Sequence, residues 1–218
     1  MKNMKTLLHR LAMIASLFCV AAIASAADVI TVGSVSTNTV VVDVPVSIRD
    51  VSGSPLGMDQ PPGSRIQSYS IKVNYAPASA VQSVSFTRAG ITAALTPTFE
   101  SSPSSAGSIS LLDTFQESTN LIPFTLNGAA PGNQVGHLIF TLSPSANPTT
   151  PITLTLDPLL TQLTDEGGSA ATKETVANGN LTVVNGVINV TTYVPAMSEW
   201  ALVLLVAAFA IIGIRMRM

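Results

Sequence analysis

Between its two ends the chain alternates. In residues 66–75, Tyr69, Ile71, Val73 and Tyr75 fall on one face of an extended segment, and Ser68, Ser70, Lys72 and Asn74 fall on the other. Residues 40–48 do the same, with Val42, Val44, Val46 and Ile48 turned inward. Pro45 has no N–H to give to a ladder, so this strand is expected at a sheet edge or at a bulge. Similar short β-branched runs cover residues 29–35, 81–87, 108–114, 134–142, 152–156, 180–184 and 187–190. A short helix is expected near residues 159–163, and no long stretch has helical spacing.

Clusters of Pro, Gly, Ser and Asn separate these runs, at residues 52–63, 101–107 and 143–151. Asn185-Gly186 between two valine-rich runs predicts a two-residue hairpin turn, because a type I′ turn needs positive φ at both central residues. Eight or nine short strands without crossover helices predict an all-β fold. The expected architecture is a two-sheet antiparallel sandwich with jelly-roll or Greek-key connections.

The ends have a different texture. Lys2, Lys5 and Arg10 precede an apolar stretch at residues 11–23, and Ala24-Ser25-Ala26 provides the small-residue pattern of a secretory signal cut before Ala27. The lone Cys19 lies inside this signal, behind Phe18 rather than a small residue, so lipidation is not expected and the exported chain has no cysteine. At the other end, Val194-Pro195-Ala196-Met197-Ser198-Glu199-Trp200 leads into an apolar run at residues 201–214 and then Arg215 and Arg217. Pro195 biases Val194 toward an extended conformation that suits an enzyme cleft. Trp200 is placed for a membrane interface, and the two arginines for its cytoplasmic side. The run is about 21 Å long as a helix, so it spans a bilayer only with thinning and snorkelling. Domains are thus expected at residues 1–26 (signal helix), 27–191 (sandwich) and 192–218 (motif 194–200, membrane helix 201–214, basic tail 215–218).

Charge narrows the partners. Residues 27–193 hold five basic and eleven acidic side chains, a balance of −6 that repels phosphate backbones and sets nucleic acid aside. Little in the chain suggests catalysis, a cofactor or a metal. His137 is the one histidine outside the signal, and it sits in a predicted strand beside Leu138 and Phe140, which suits a structural role. Asp157 and Asp165-Glu166-Gly167-Gly168 offer oxygen ligands, but their spacing matches no EF-hand and fits a solvated turn. Asp113 and Glu117 are the nearest candidates for a glycosidase-like carboxylate pair. Of the aromatic residues Tyr69, Tyr75, Phe86, Phe99, Phe115, Phe124, Phe140 and Tyr193, most fall on buried faces, and Phe99 and Phe115 remain as exposed candidates for stacking on a sugar.

The order of landmarks resembles the cohesin domain over most of residues 27–190. The matching stretches are residues 42–48, Lys72-Val73-Asn74-Tyr75-Ala76-Pro77 followed by residues 81–84, residues 136–142, and residues 178–183; Ala76 stands where the family's turn carries Asp. The resemblance implies a jelly-roll sandwich, an architecture shared with cellulose-binding modules, and recognition of dockerin modules through one sheet face. The tail resembles the IPTL-CTERM sorting domain. Pro195, Ser198, Glu199 and Trp200 match its motif outright, and Val194, Ala196, Met197 and Ala201 are substitutions of similar character. That resemblance implies processing by an exosortase-like transpeptidase in the membrane of a Gram-negative bacterium, then display at the surface or release.

The expectation is an exported, non-catalytic binding or adhesion protein, held by its C-terminal membrane helix before sorting and associated with the extracellular polysaccharide matrix. A scaffold recognising a protein module such as a dockerin is the alternative, and a polysaccharide hydrolase a further one. A flat apolar sheet patch points to the protein module, an exposed aromatic pair to sugar, and two carboxylates across a cleft to the hydrolase.

Overall fold

The computed structural model describes residues 26–144, 146, 150–168 and 172–191. The expected signal sequence, the sorting motif and the apolar tail lie outside the described residues. The chain forms β1 (Asp28–Val32), β2 (Val35–Thr37), β3 (Val41–Arg49), β4 (Ser68–Ala76), β5 (Val81–Arg88), β6 (Phe99–Ser101), β7 (Ser104–Ser105) and β8 (Ser108–Thr114). A single turn of helix, α1 (Glu117–Asn120), precedes β9 (Asn133–Leu142), β10 (Ile152–Leu156), β11 (Gln162–Thr164), β12 (Glu174–Thr175), β13 (Leu181–Val184) and β14 (Gly186–Val190).

Two sheets face one another. The smaller runs β13-β1-β3-β9-β5. The larger is centred on β4, which pairs with β8 on one side and with both β10 and β11 on the other; β6 and β7 extend it beyond β8, β12 beyond β11, and β14 and β2 beyond β10. The alternation read from the sequence fixes which faces meet. Ile30, Val44, Val46, Ile48, Leu138 and Phe140 from one sheet pack against Ile71, Val73, Ile109, Leu111 and Leu154 from the other, all fully buried. Each such side chain contributes roughly 1.5–3 kcal/mol on leaving water. Tyr75 meets Phe140 edge-on across the interface, with ring centroids 5.6 Å apart.

The sandwich is all-β as expected, but with fourteen strands among the described residues rather than eight or nine. The additional ones, β2, β6, β7, β11 and β12, are two or three residues long, too short to show a period. Asn185-Gly186 makes no hairpin. β13 joins the smaller sheet, parallel to β1, whereas β14 joins the larger, between β10 and β2 and parallel to β2. The dipeptide is therefore a corner where the chain changes sheets, and β1 and β2 change sheets beside it at Gly33. A Cβ on Gly186 would run into the Gly33 and Val32 carbonyl oxygens, and one on Gly33 would lie 2.7 Å from Pro45 Cγ. Close approach of two crossing backbones, not a turn's positive φ, is what requires glycine there. The two parallel pairings also make the sheets mixed rather than wholly antiparallel.

Pro45 sits inside the smaller sheet, with β3 paired to β1 and β9, so the edge is not realised; the bulge is, one residue further on, between Val46 and Ser47. The helix expected at residues 159–163 is instead a turn running into β11.

Candidate binding face

Period-2 alternation leaves a polar outer face on the larger sheet. Ser68, Ser70, Lys72 and Asn74 of β4 lie beside Ser108, Ser110, Leu112 and Thr114 of β8. Beside the middle of β4 the chain leaves the sheet between β10 and β11, in Asp157-Pro158-Leu159-Leu160-Thr161. Asp157 Oδ1 accepts from the N–H of Leu159 (3.0 Å) and of Leu160 (3.3 Å), while the N–H of Thr161 donates to the Asp157 carbonyl (3.0 Å). This is the local side-chain capping that Asp brings to turns. Thr161 is buried and its hydroxyl accepts from the Lys72 N–H (3.3 Å); Ser70 Oγ donates to the Leu160 carbonyl (3.2 Å).

The turn is thus pinned at both ends and throws its two leucines outward. Leu159 is 83% exposed and Leu160 51%. Next to them lies a shallow depression of about 320 Å³, with Leu112, Leu159 and Leu160 as its apolar part and Lys72 and Lys173 as its cations. The flat apolar sheet patch expected of a protein-module site does not form; instead two adjacent exposed leucines project from a fixed turn beside a mostly hydroxyl-bearing sheet face. The smaller sheet presents a different outer face. There Asp43 pairs with His137, whose ring also meets Gln134 Nε2 at 2.7 Å. His137 thus points outward, beside Asp43 and Gln134, rather than among apolar neighbours.

The carboxylates gather elsewhere, and inside. Asp28, Asp50 and Glu174 are fully buried under the long connection between β3 and β4. One oxygen of each accepts a backbone N–H from that connection: Val51 to Asp28 Oδ1 (2.7 Å), Met58 to Asp50 Oδ2 (2.8 Å) and Leu56 to Glu174 Oε1 (2.9 Å). Asp28 Oδ2 and Glu174 Oε2 have no donor, yet the two carboxyls face one another. Such a contact is a hydrogen bond only when one of them carries the proton. Burial pushes both carboxyls well above the usual carboxylate range, and the neighbouring acid raises Glu174 further. Burial likewise raises Asp50.

Asp113 is also buried, with its pKa pushed up to about 6 by desolvation although the Tyr69 hydroxyl donates to it. Glu117 is held differently, accepting from the Gly63 N–H (2.8 Å) and lying 3.6 Å from Arg65. The two form no pair across a cleft. Asp157 caps its turn, Asp165 accepts from the Thr172 hydroxyl (2.5 Å), and Glu166 accepts from the Glu117 N–H (2.7 Å). Among the described residues no three His, Cys, Asp or Glu side chains are placed to hold a metal ion. Of the two aromatic candidates, Phe115 is fully buried and Phe99 is 55% exposed, so no stacking pair forms. Leu159 and Leu160 fall in the stretch where a short helix is expected, and no local pattern marks them as an exposed pair.

Residues 194–218 match the IPTL-CTERM motif. No curated protein matches the chain. Among solved structures the sandwich is similar to cohesins. The third cohesin of ScaC from Acetivibrio cellulolyticus, in complex with the ScaB dockerin, is 18% identical with a TM-score of 0.53, over 76% of this chain and 99% of that one. CaCohA2 from Clostridium acetobutylicum is 21% identical (TM-score 0.51; 77% and 92% covered), and the cohesin of the Coh-OlpC–Doc435 complex from Clostridium thermocellum 12% (TM-score 0.51; 79% and 99%). The described part thus has the fold of a cohesin domain. A sandwich of cohesin fold is followed, in the same chain, by residues that match the IPTL-CTERM motif.

Proposed function

We propose that this is an exported, non-catalytic binding protein that is sorted through its C-terminal motif by an exosortase-like enzyme. In this reading it recognises a protein module on the outer face of the larger sheet. The observation that carries the proposal is the pinned turn, which holds Leu159 and Leu160 in solvent beside Leu112 and two lysines. Two cohesin–dockerin complexes among the similar structures support a protein module as the class of partner. The residues 201–214 would hold the precursor in the membrane until the motif at 194–200 is processed. Polysaccharide association, the other expectation, has Phe99 alone among the described residues as a largely exposed aromatic to support it. A hydrolase has less, since the facing carboxyls are Asp28 and Glu174 and lie in the interior.

The test immobilises the exported chain and its Leu159→Asp, Leu160→Asp double variant and passes the host's extracellular proteins over both, with cosedimentation on the host's exopolysaccharide in parallel. A discrete protein retained by the wild type and lost by the variant is the expected result. Cosedimentation that depends on Phe99, without any retained protein, would overturn the reading in favour of sugar.

A further inference from the structure

The sandwich has two poles of opposite character. At one of them β2, β4 and β9 end, β3, β5, β8 and β10 begin, and the chain leaves at Thr191. Backbone bonds tie these connections together: Thr191 N–H to the Thr37 carbonyl (2.7 Å), Leu142 N–H to Val40 (2.7 Å), Ser143 N–H to Ala80 (2.9 Å) and Tyr75 N–H to Gly107 (2.8 Å). The sequence through every one of them is free of charge. Among the described residues, no Asp, Glu, Lys or Arg occurs in residues 37–42, 76–82, 101–109, 142–144, 150–156 or 189–191. Val40 and Val41 stand at this pole, 59% and 57% exposed. The opposite pole carries charge at its strand ends and connections, Asp59, Arg65, Arg88, Glu100, Glu117 and Glu166 among them, with a small excess of acid.

The length of chain beyond the sandwich says what this uncharged pole meets. Nine residues, 192–200, separate Thr191 from the apolar run at 201–214. Fully extended they reach at most about 30 Å, comparable to the length of one long strand of the sandwich. With residues 201–214 held in a bilayer, a tether of this length would keep the domain within about 30 Å of it, and the pole at Thr191 would be the nearer one. The charge distribution acts in the same sense. Anionic headgroups repel the acidic pole, whereas the uncharged pole has no ion to desolvate and two valines to bury.

We propose that this pole is a bilayer-contacting surface, with Val40 and Val41 resting at the headgroup boundary while residues 201–214 hold the chain in the membrane. The proposal rests on the membrane-tail reading given above. In this orientation the acidic pole points away from the membrane, and the face bearing Leu159 and Leu160 stands side-on and open to a partner. Release of the tail by sorting would free the pole from the lipid.

The exported chain has no cysteine, so single labels can be placed at will. Val40→Cys, Ser118→Cys at the acidic pole and Ala207→Cys in the apolar run are labelled with an environment-sensitive fluorophore. Each full exported chain is then reconstituted into phosphatidylcholine–phosphatidylglycerol vesicles containing lipid-attached nitroxide quenchers. The expected result is strong quenching at position 207, and quenching at position 40 several-fold greater than at position 118. Quenching at 207 with positions 40 and 118 alike overturns the proposal and leaves the tail reading standing. No quenching at 207 overturns the tail reading and this proposal with it.

Discussion

Glu174→Gln is expected to make the folded protein less sensitive to rising pH, and to stabilise it at alkaline pH. In the wild type the Asp28–Glu174 pair is hydrogen-bonded only while it holds a proton, and burial raises both folded pKa values above their unfolded values of 3.8 and 4.5. Acids raised in this way make the native state bind more protons than the unfolded state, so stability is greatest at low pH and is lost as pH rises. One retained proton gives a slope of about 1.4 kcal/mol per pH unit, or roughly 3 kcal/mol between pH 5 and pH 7. For a domain of this size that corresponds to a fall in Tm on the order of 6–12 °C. Glutamine keeps the acceptor for the Leu56 N–H and offers an amide N–H to Asp28 at every pH. Its Tm should therefore follow the wild type near pH 5 and exceed it at pH 8. The slope should not vanish, because Asp50 and Asp113 are raised as well and act with the same sign. Calorimetric Tm values from pH 4.5 to 8.5 make the comparison. A variant that keeps the full wild-type slope, or a wild type that gains stability across this range, would refute the shared proton.

Further outcomes follow from particular contacts. Leu159→Asp with Leu160→Asp removes side chains that touch mainly solvent, so its unfolding free energy should stay within about 0.5 kcal/mol of wild type by denaturant titration, even as binding is lost. Gly186→Ala forces a methyl group against the backbone of the neighbouring corner and should cost on the order of 1–3 kcal/mol in the same titration. Tyr69→Phe leaves the buried Asp113 without its hydroxyl donor and should cost roughly 1–3 kcal/mol at neutral pH, with a smaller loss at pH 5 where Asp113 is protonated. For the tail, intact mass of the protein from the host's surface and medium should end near residues 194–198, and a Pro195→Ala, Trp200→Ala variant should keep Met218.

Much of the sandwich could be read from period-2 alternation, because a face buried in a shared core must be apolar at every second residue. That is why β8 and β10 fall on the expected residues and β3, β4, β5 and β9 within two of them. Where two physical causes use the same letters, the sequence misled. Asn185-Gly186 reads as a hairpin, yet glycine serves there to let β13 and β14 cross close to Gly33, a contact 153 residues away in the chain that no local pattern records. Pro45 called for an irregularity, and the bulge beside it satisfied that need inside the sheet. The outward turn of Leu159 and Leu160 was harder still. Leucines at 159 and 160 are more often core than surface, and only the caps on Asp157 and the burial of Thr161 show that this pair turns outward. The acid cluster was equally hidden, since Asp28, Asp50 and Glu174 are far apart in sequence and meet only through the long connection they hold down.

The central claim is that a protein partner sits on the outer face of the larger sheet. The most direct test replaces Leu160 with a photo-crosslinking amino acid in the native host, and Thr182, exposed on the opposite sheet, with the same group as a control. The account predicts one discrete protein adduct through position 160 and none through position 182. No adduct at 160, or the same adducts at both positions, would contradict it.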